Sequence, residues 1–221
     1  MAVGEVAQLR VATGRILDIL GSMYPDARCA LDFTTPFELL VATILSAQCT
    51  DERVNMITPR LFPRYPTPAA MLALSQEDLE DLIHDCGLFR SKARNILGTC
   101  DALQTGHSGE VPRTMAALLK LPGVGRKTAN VVLSNAFGVP AIAVDTHVFR
   151  VARRLGLAHG ETPEQVERDL RLRIPRRDWS AAHHWLIHHG RQICHARRPD
   201  CLHCPLSPYC PAYRLGQVHP K

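Results

Sequence analysis

The sequence predicts an all-α protein organised in two lobes. Helix-start signals recur along the 221 residues, and the apolar residues between them follow helical spacing. Almost no stretch alternates apolar and polar residues as a half-buried strand would, so about ten or eleven short helices are expected. The hydrophobic fraction of 46% is enough to bury one large core or two modest ones.

The helix starts are easy to read. Thr35-Pro-Phe-Glu38 and Thr162-Pro-Glu-Gln165 each combine an N-cap threonine, a proline at the first helical position and a Glu or Gln that completes a capping box. Thr67-Pro68 and Ser75-Gln-Glu-Asp78 are further N-cap signals, and Asp51 is expected to cap the helix that follows it.

The charge is distributed unevenly. Residues 1–144 carry 13 Lys and Arg against 14 Asp and Glu, whereas residues 145–221 carry 13 against 7. The whole net charge of +5 therefore comes from the C-terminal third. This indicates an anionic partner on that side, although a solvated basic surface would give the same count.

The sequence predicts a cytoplasmic protein. No run of about 18 apolar residues is present, so no membrane-spanning helix and no membrane partner are expected. The first residues, Met1-Ala-Val-Gly-Glu5, lack the basic and apolar blocks of a secretory signal. In a reducing compartment, clustered thiols bind metal or catalyse more often than they form disulfides.

Residues 114–137 read as two helices joined by Leu121-Pro-Gly-Val-Gly125, with the second helix spanning residues 126–137. Gly123 and Gly125 can adopt positive φ and let backbone N–H groups approach an anion closely. The positive end of the second helix points to the same place. This favours a phosphate-binding site that holds the nucleic-acid backbone without recognising particular bases. An ordinary helical corner has the same pattern. A Walker A loop is excluded, because Arg126 separates Gly125 from Lys127.

Lys127 lies in the first turn of this second helix. The helix dipole and the neighbouring Arg126 both disfavour a protonated amine at this position. A neutral amine here would be a nucleophile able to form a Schiff base with a sugar aldehyde. The alternative interpretation is a simple phosphate contact.

Asp145 opens the next helix, in Val144-Asp-Thr-His-Val-Phe-Arg150. Its position predicts an N-cap. A carboxylate near a reactive lysine would also stabilise a cationic sugar or relay protons.

Four of the eight cysteines fall within seventeen residues: Cys194, Cys201, Cys204 and Cys210. Four thiolates in one loop can bind a tetrahedral zinc or a cubane iron–sulfur cluster, and the spacing alone leaves both open. The other four cysteines are expected to be small buried hydrophobes. His184 and His188 have metal-binding spacing, although helix packing is the plainer interpretation.

Three motifs in order carry a family resemblance: Leu121-Pro-Gly-Val-Gly-Arg-Lys-Thr-Ala129, Val144-Asp-Thr-His-Val-Phe-Arg150 and the C-x6-C-x2-C-x5-C loop. Together they resemble the endonuclease III family of the helix–hairpin–helix DNA glycosylase superfamily. Ser46-Ala-Gln-Cys-Thr-Asp51, Gly87-Leu-Phe-Arg-Ser-Lys-Ala-Arg-Asn95 and His183-His-Trp-Leu-Ile-His-His-Gly190 extend the likeness. The resemblance covers about residue 30 to Tyr213 and implies a glycosylase with β-lyase activity on double-stranded DNA that holds an oxidised pyrimidine or an abasic site.

The resemblance also implies a two-lobed helix–hairpin–helix glycosylase fold. A six-helix domain would span residues 29–139, and an iron–sulfur cluster domain would combine the N-terminal helix of residues 1–28 with residues 140–221. The four clustered cysteines match the ligands of a [4Fe–4S] cluster. The family further suggests a monomer associated with the nucleoid.

Residue roles follow from the same resemblance. Lys127 matches the Schiff-base lysine and Asp145 the catalytic aspartate. Gln48 and Leu88 match residues that fill the gap and wedge the duplex when a nucleotide is flipped out; from the residues alone, Gln48 reads as exposed and Leu88 as core. The expected DNA contacts are Gln48, Leu88, Gly123, Gly125, Arg126, Arg197 and Arg198. Cys49 departs from the family pattern, which favours a small residue such as alanine there.

Two rivals share some of these features. A monofunctional mismatch glycosylase of the same superfamily would not need Lys127 as a nucleophile. A non-enzymatic iron–sulfur DNA-binding protein would need neither Lys127 nor Asp145, and a cleavage assay on abasic DNA separates it from the enzyme.

Overall fold

The computed structural model describes residues 3–218, with side chains described from residue 11 onward. Met1, Ala2 and residues 219–221 lie outside the described residues, and with them the outer ends of the predicted segments 1–28 and 140–221. Along the chain the α-helices are α1 (Val3–Met23), α2 (Pro36–Leu45), α3 (Asp51–Leu61), α4 (Pro68–Met71), α5 (Gln76–Leu82), α6 (Phe89–His107), α7 (Met115–Leu118), α8 (Arg126–Phe137), α9 (Thr146–Arg154), α10 (Pro163–Arg173), α11 (Trp179–Gln192) and α12 (Pro211–Arg214). Between residues 3 and 218 all regular structure is helical, which confirms the all-α prediction.

The chain divides into two compact units. Cys29–Val139 forms one of them, here called the hairpin unit. Of the described residues, 3–28 and 140–218 form the other, here called the cysteine unit. The identity of the cysteine unit as a cluster domain stays a prediction.

Helix α2 is the centre of the hairpin unit. Every residue from Phe37 to Leu45 is buried, because the helix is apolar on nearly all sides and must be surrounded. It packs against α3, α6 and α8. The helices that carry the candidate site residues of this unit therefore share one core.

Local capping fixes the helix starts. The capping boxes predicted at Thr35 and Thr162 are confirmed, and Ser75 forms a third. The prediction that Asp51 caps α3 is wrong. Thr50 is the N-cap, because its extended backbone lets its hydroxyl accept the N–H of Arg53 at 3.2 Å.

The cysteine unit is built on α9 and α11, which pack against each other. A Cβ built at Gly190 of α11 would lie only 3.0 Å from the Cβ of His147 of α9, so the absence of a side chain permits this close approach. Helix α1 packs on α11, and α10 and α12 pack on α9. No helix within the described residues is long and apolar enough to cross a membrane.

Candidate active site

The turn between α7 and α8 is fixed by its contacts with α6. Gly123 has φ of +73°, and a Cβ built there would lie 2.8 Å from the Cβ of Asn95. The hydroxyl of Thr99 donates a hydrogen bond of 2.7 Å to the carbonyl of Pro122. Only glycine fits position 123, and the turn is therefore held in one conformation on the surface of α6.

The space around Gly125, at the end of the turn, is open to solvent. It is the exposed N-cap of α8, and a Cβ built there would meet nothing within 4 Å. Within the described part of the chain no side chain caps this helix, and its first turn contains no acidic residue. The backbone N–H groups of the first turn are thus directed toward a region that an anion can enter. The predicted bounds of α8 are confirmed.

Lys127 is exposed in the first turn of α8. The chain contains only four lysines against 22 arginines. Lys120 is exposed just before the turn, Lys92 is buried in α6, and Lys221 lies outside the described residues. Where this chain uses a fixed positive charge it nearly always uses arginine, so the lysine at the open start of α8 stands out.

Gln48 and Leu88 share an uncommon backbone conformation. Their φ angles are +52° and +61°, in the left-handed region that residues with a Cβ rarely occupy. Gln48 is exposed, as predicted. The core prediction for Leu88 from the residues alone is wrong, because Leu88 is the N-cap of α6 and its side chain is 57% exposed. An apolar side chain held in solvent on a strained backbone is a functional signal.

The loops that carry these two residues are neighbours. A Cβ built at Gly87 would lie 3.6 Å from the backbone carbonyl of Gln48. The Sγ atoms of Cys49 and Cys86 are 3.8 Å apart. The structure therefore brings Gln48 and Leu88 to one face of the hairpin unit.

Asp145 is the N-cap of α9, as its position predicts. One of its carboxylate oxygens accepts the N–H of Val148 at 2.8 Å, and the residue is partly exposed. The buried segment of residues 141–144 leads into it. The carboxylate is therefore held in place by both the helix it caps and the packed chain before it.

Two arginines of α9 anchor the start of the cysteine loop. Arg150 donates hydrogen bonds to the carbonyl groups of Cys194 at 3.1 Å and Gly190 at 2.9 Å. Arg154 donates to the carbonyl groups of His195 at 2.6 Å and of Ala196 at 3.0 Å. Sequence reasoning missed both arginines. The available signal is that they stand four residues apart on α9 and therefore share one face of the helix. One helix thus links the candidate catalytic carboxylate to the cysteine loop.

Arg197 and Arg198 follow directly in this anchored loop. Both are exposed, and Arg198 has φ of +50°. The two residues before them, His195 and Ala196, are held by Arg154, while both arginines are exposed to solvent, an arrangement that suits contact with an anion.

The four cysteines of the loop are near enough for their charges to act on one another. Burial, and then the negative charge of neighbouring thiolates, raises the pKa of Cys201. The same two causes raise the pKa values of Cys204 and Cys210. Thiols that oppose one another's ionisation become thiolates together only around a cationic centre.

A single zinc ion and a cubane cluster place different demands on the four thiols. Across residues 11–218, no three His, Cys, Asp or Glu side chains are placed to hold one metal ion. A tetrahedral zinc needs all four Sγ atoms within about 2.3 Å of one centre. A cubane cluster has four irons that each take one thiolate, so its thiols lie farther apart. Arg154 Nη1 donates a hydrogen bond of 3.4 Å to the Sγ of Cys194. A positively charged donor at this sulfur favours its thiolate form.

Buried histidines support the loop from α11. Burial lowers the pKa of His184 to about 3 and that of His189 to about 4, so both are neutral near pH 7. His189 Nδ1 lies 3.1 Å from the hydroxyl of Tyr24, and its Nε2 lies 3.6 Å from the Sγ of Cys204. A neutral ring that accepts from Tyr24 carries its proton at Nε2, facing the sulfur. This agrees with the packing interpretation of the histidines.

Comparison with known proteins places this geometry in a family. Residues 41–176 match the HhH-GPD superfamily of base excision DNA repair proteins. Proteins named endonuclease III from Synechocystis sp. and Escherichia coli K12 are each 51% identical to this chain, over 209 and 195 residues. The two alignments cover 94% and 88% of this chain, and 95% and 92% of the relatives. The chain belongs to the endonuclease III family.

Solved structures agree with this membership. The structure of a trapped endonuclease III–DNA covalent intermediate has a TM-score of 0.88 and 49% identity, and the match covers 98% of this chain and 100% of that one. A thermostable thymine-DNA glycosylase has a TM-score of 0.81 but 24% identity, and shows the fold alone. The fold is that of the helix–hairpin–helix glycosylases. The protein is a base excision repair enzyme, a DNA glycosylase with AP lyase activity.

Proposed function

We propose that this enzyme removes oxidised pyrimidines from double-stranded DNA through a Schiff base on Lys127 and then cleaves the abasic site by β-elimination. The neutral amine of Lys127 attacks C1′ of the flipped nucleotide and the damaged base leaves. The imine that forms acidifies the C2′ proton, and its loss breaks the strand on the 3′ side.

The observation that carries the proposal is the exposed Lys127 in the first turn of α8, a helix whose N-terminus has no side-chain cap. The open backbone at Gly125 allows a phosphate to approach the first turn, which would hold the adjoining sugar near the amine. Arginine cannot replace a nucleophilic amine, because its guanidinium stays protonated. The scarcity of lysine in this chain therefore supports a chemical role for Lys127 over a phosphate contact.

Asp145 is proposed to stabilise the positive charge that develops on the sugar when the base leaves. Its fixed orientation at the start of α9 supports this role, because a carboxylate that is already held in place need not reorganise during the reaction. The exposed Arg197 and Arg198 would contact DNA phosphates on the cysteine unit.

Gln48 and Leu88 are proposed to occupy the stack that the flipped nucleotide vacates. An exposed leucine on a strained backbone supports the wedge role, since apolar wedges between base steps offset the unstacking of the duplex. The adjacent loops present the two side chains together. Damaged pyrimidines are easier to extrude than intact ones, which contributes to selectivity.

Cys194, Cys201, Cys204 and Cys210 are proposed to hold a [4Fe–4S] cluster. Such a cluster would supply a rigid cross-link of the loop, and Arg150 and Arg154 would fix that loop to α9. The enzyme is further proposed to act as a monomer on duplex DNA in the cytoplasm, associated with the nucleoid.

The test is borohydride trapping of the enzyme on a duplex with a single oxidised pyrimidine. Lys127→Gln should abolish both trapping and strand cleavage while duplex binding changes little. Lys120→Gln is the matched control, because it removes an exposed lysine next to the same turn and should leave trapping intact. Undiminished cleavage by the Lys127 variant would refute the proposal.

A further inference from the structure

Cys49 and Cys86 form a close thiol pair outside the cysteine loop. They are 37 residues apart in the chain, yet their Sγ atoms are separated by 3.8 Å. A disulfide requires about 2.05 Å between sulfurs, so a shift of under 2 Å would join them. Cys49 is partly exposed and Cys86 is buried.

The pair lies between the two strained loops. Cys49 follows Gln48 directly, and Cys86 stands two residues before Leu88. A covalent bond between the sulfurs would therefore join the two segments that contain Gln48 and Leu88, the residues whose backbone has positive φ.

Their surroundings give the two thiols different roles. Burial raises the pKa of Cys86 to about 11, so this thiol is slow to react with an oxidant from solution. The charge of Lys92 acts in the opposite direction on Cys86. Lys92 is only 3% exposed, and its Nζ has no hydrogen-bond partner within the described structure. The partly exposed Cys49 is therefore the first point of attack, and the buried Cys86 is placed to react second.

We propose that Cys49 and Cys86 form a reversible disulfide with hydroperoxides as the oxidant. The Cys49 thiolate attacks one peroxide oxygen, the O–O bond breaks, and Cys49 becomes a sulfenic acid as one water leaves. The Cys86 thiolate then attacks the sulfenic sulfur, the S–O bond breaks, and a second water leaves. Two thiols are oxidised by two electrons and one hydroperoxide is reduced; with an organic hydroperoxide the first product is the alcohol in place of water.

The bond would slow excision, a consequence that rests on the proposed roles of Gln48 and Leu88. Joining their loops fixes them in one arrangement and draws the sulfurs closer together than they are in the reduced protein. Displacements of about 1 Å near a reacting site cost on the order of 100-fold in rate, so a loss of about tenfold or more is expected. A thiol reductant restores the rate.

The experiment treats the cluster-containing enzyme with hydrogen peroxide, blocks free thiols and maps disulfide peptides by mass spectrometry. Activity on a single-lesion duplex is measured on the same samples before oxidation, after it, and after dithiothreitol. The expected result is a Cys49–Cys86 peptide that appears together with a reversible loss of activity. Absorbance near 410 nm (roughly the iron–sulfur charge-transfer region) reports cluster damage separately.

Cys49→Ala should keep its activity under the same treatment, and alanine is small enough for this site. Cys29→Ala, which removes another partly exposed thiol of the hairpin unit, should still be inhibited. Absence of the cross-linked peptide overturns the proposal, as does inhibition of the Cys49 variant equal to that of the wild type. If the reduced enzyme cuts no lesion DNA, the proposed function fails instead, and the peptide map still decides whether the disulfide forms.

Discussion

At the residue scale, Asp145 combines a structural and a proposed chemical role in one carboxylate. One oxygen caps α9 by accepting the N–H of Val148. The negative charge of the carboxylate is proposed to stabilise the positive charge that develops on the deoxyribose when the base leaves. Asparagine caps a helix about as well as aspartate but carries no charge. The two roles can therefore be separated by substitution.

Asp145→Asn should leave the free energy of unfolding nearly unchanged and strongly reduce base excision. Asp145→Ala should lose both the activity and about 1 kcal/mol of stability, because the cap is lost. Urea unfolding and single-turnover excision measure the two effects. Full activity in the asparagine variant would mean that the carboxylate serves only as a cap.

His184 makes stability depend on pH. Burial lowers its pKa in the folded enzyme to about 3 from the ordinary histidine value of 6.5. The unfolded chain therefore binds more protons below pH 6.5, and stability falls as the pH drops from 6.5 toward 3. Each pKa unit corresponds to about 1.4 kcal/mol. The free energy of unfolding at pH 5 is therefore lower than at pH 7 by on the order of 2 kcal/mol from this residue.

His184→Gln should make this dependence shallower between pH 7 and pH 5, whatever its effect on stability at pH 7. His189, whose pKa burial lowers to about 4, keeps its own contribution to the slope. Replacement of the exposed Gln192 of α11 by Ala is the control, because it removes no titrating group and should leave the slope unchanged. Unfolding by urea at several pH values measures the slope. Parallel curves for wild type and the His184 variant would contradict the assignment.

At the element scale, α6 organises the hairpin unit. Leu88 stands at its start, and Asn95 and Thr99 hold the turn before α8 about 10–17 Å farther along its axis, at 1.5 Å per residue. One rigid helix therefore sets the spacing between the proposed wedge and the proposed phosphate grip.

The two glycines of the turn should respond differently to alanine. Gly125→Ala places its Cβ in open space with an ordinary φ of −88°, so folding should be intact while DNA binding weakens where the phosphate would approach. Gly123→Ala should instead cost stability, about 1 kcal/mol or more, because it combines positive φ with a contact at 2.8 Å.

Duplex binding and urea unfolding measured on both variants test this distinction. Gly106→Ala in α6 is the control, because its Cβ would meet nothing within 4 Å and alanine favours a helix. Unaltered DNA affinity in the Gly125 variant would argue against a phosphate at the turn.

Local sequence rules predict the elements well and their contacts poorly. The capping boxes and the bounds of α8 follow from neighbouring residues, so they could be read directly. Leu88 could not, because a leucine reads as core unless its left-handed backbone is known. The pairing of Cys49 with Cys86 spans 37 residues, and no local pattern reports it.

At the scale of the whole molecule, α9 carries both the proposed catalytic carboxylate and the arginine side chains that hold the cysteine loop. It begins at the proposed catalytic carboxylate and ends at Arg154, which holds the loop of the cysteines. In the proposed mechanism, α9 would supply the carboxylate of the cysteine unit and would hold the loop of the cysteines through Arg150 and Arg154.

Arg154→Ala should loosen the cysteine loop, because three of its carbonyl and sulfur acceptors lose their donor. Iron content per chain and the melting temperature should both fall. Arg153→Ala, which removes the exposed neighbour on the same helix, should change neither by a comparable amount. Equal iron content in both variants would show that the anchor is dispensable.

The most direct measurement of the central claim is the identity of the residue joined to DNA. The enzyme is trapped with borohydride on a duplex that holds one oxidised pyrimidine, digested, and the cross-linked peptide is sequenced by mass spectrometry. The proposed chemistry predicts the adduct on Lys127. An adduct on Lys120 or on the N-terminal amine would contradict it.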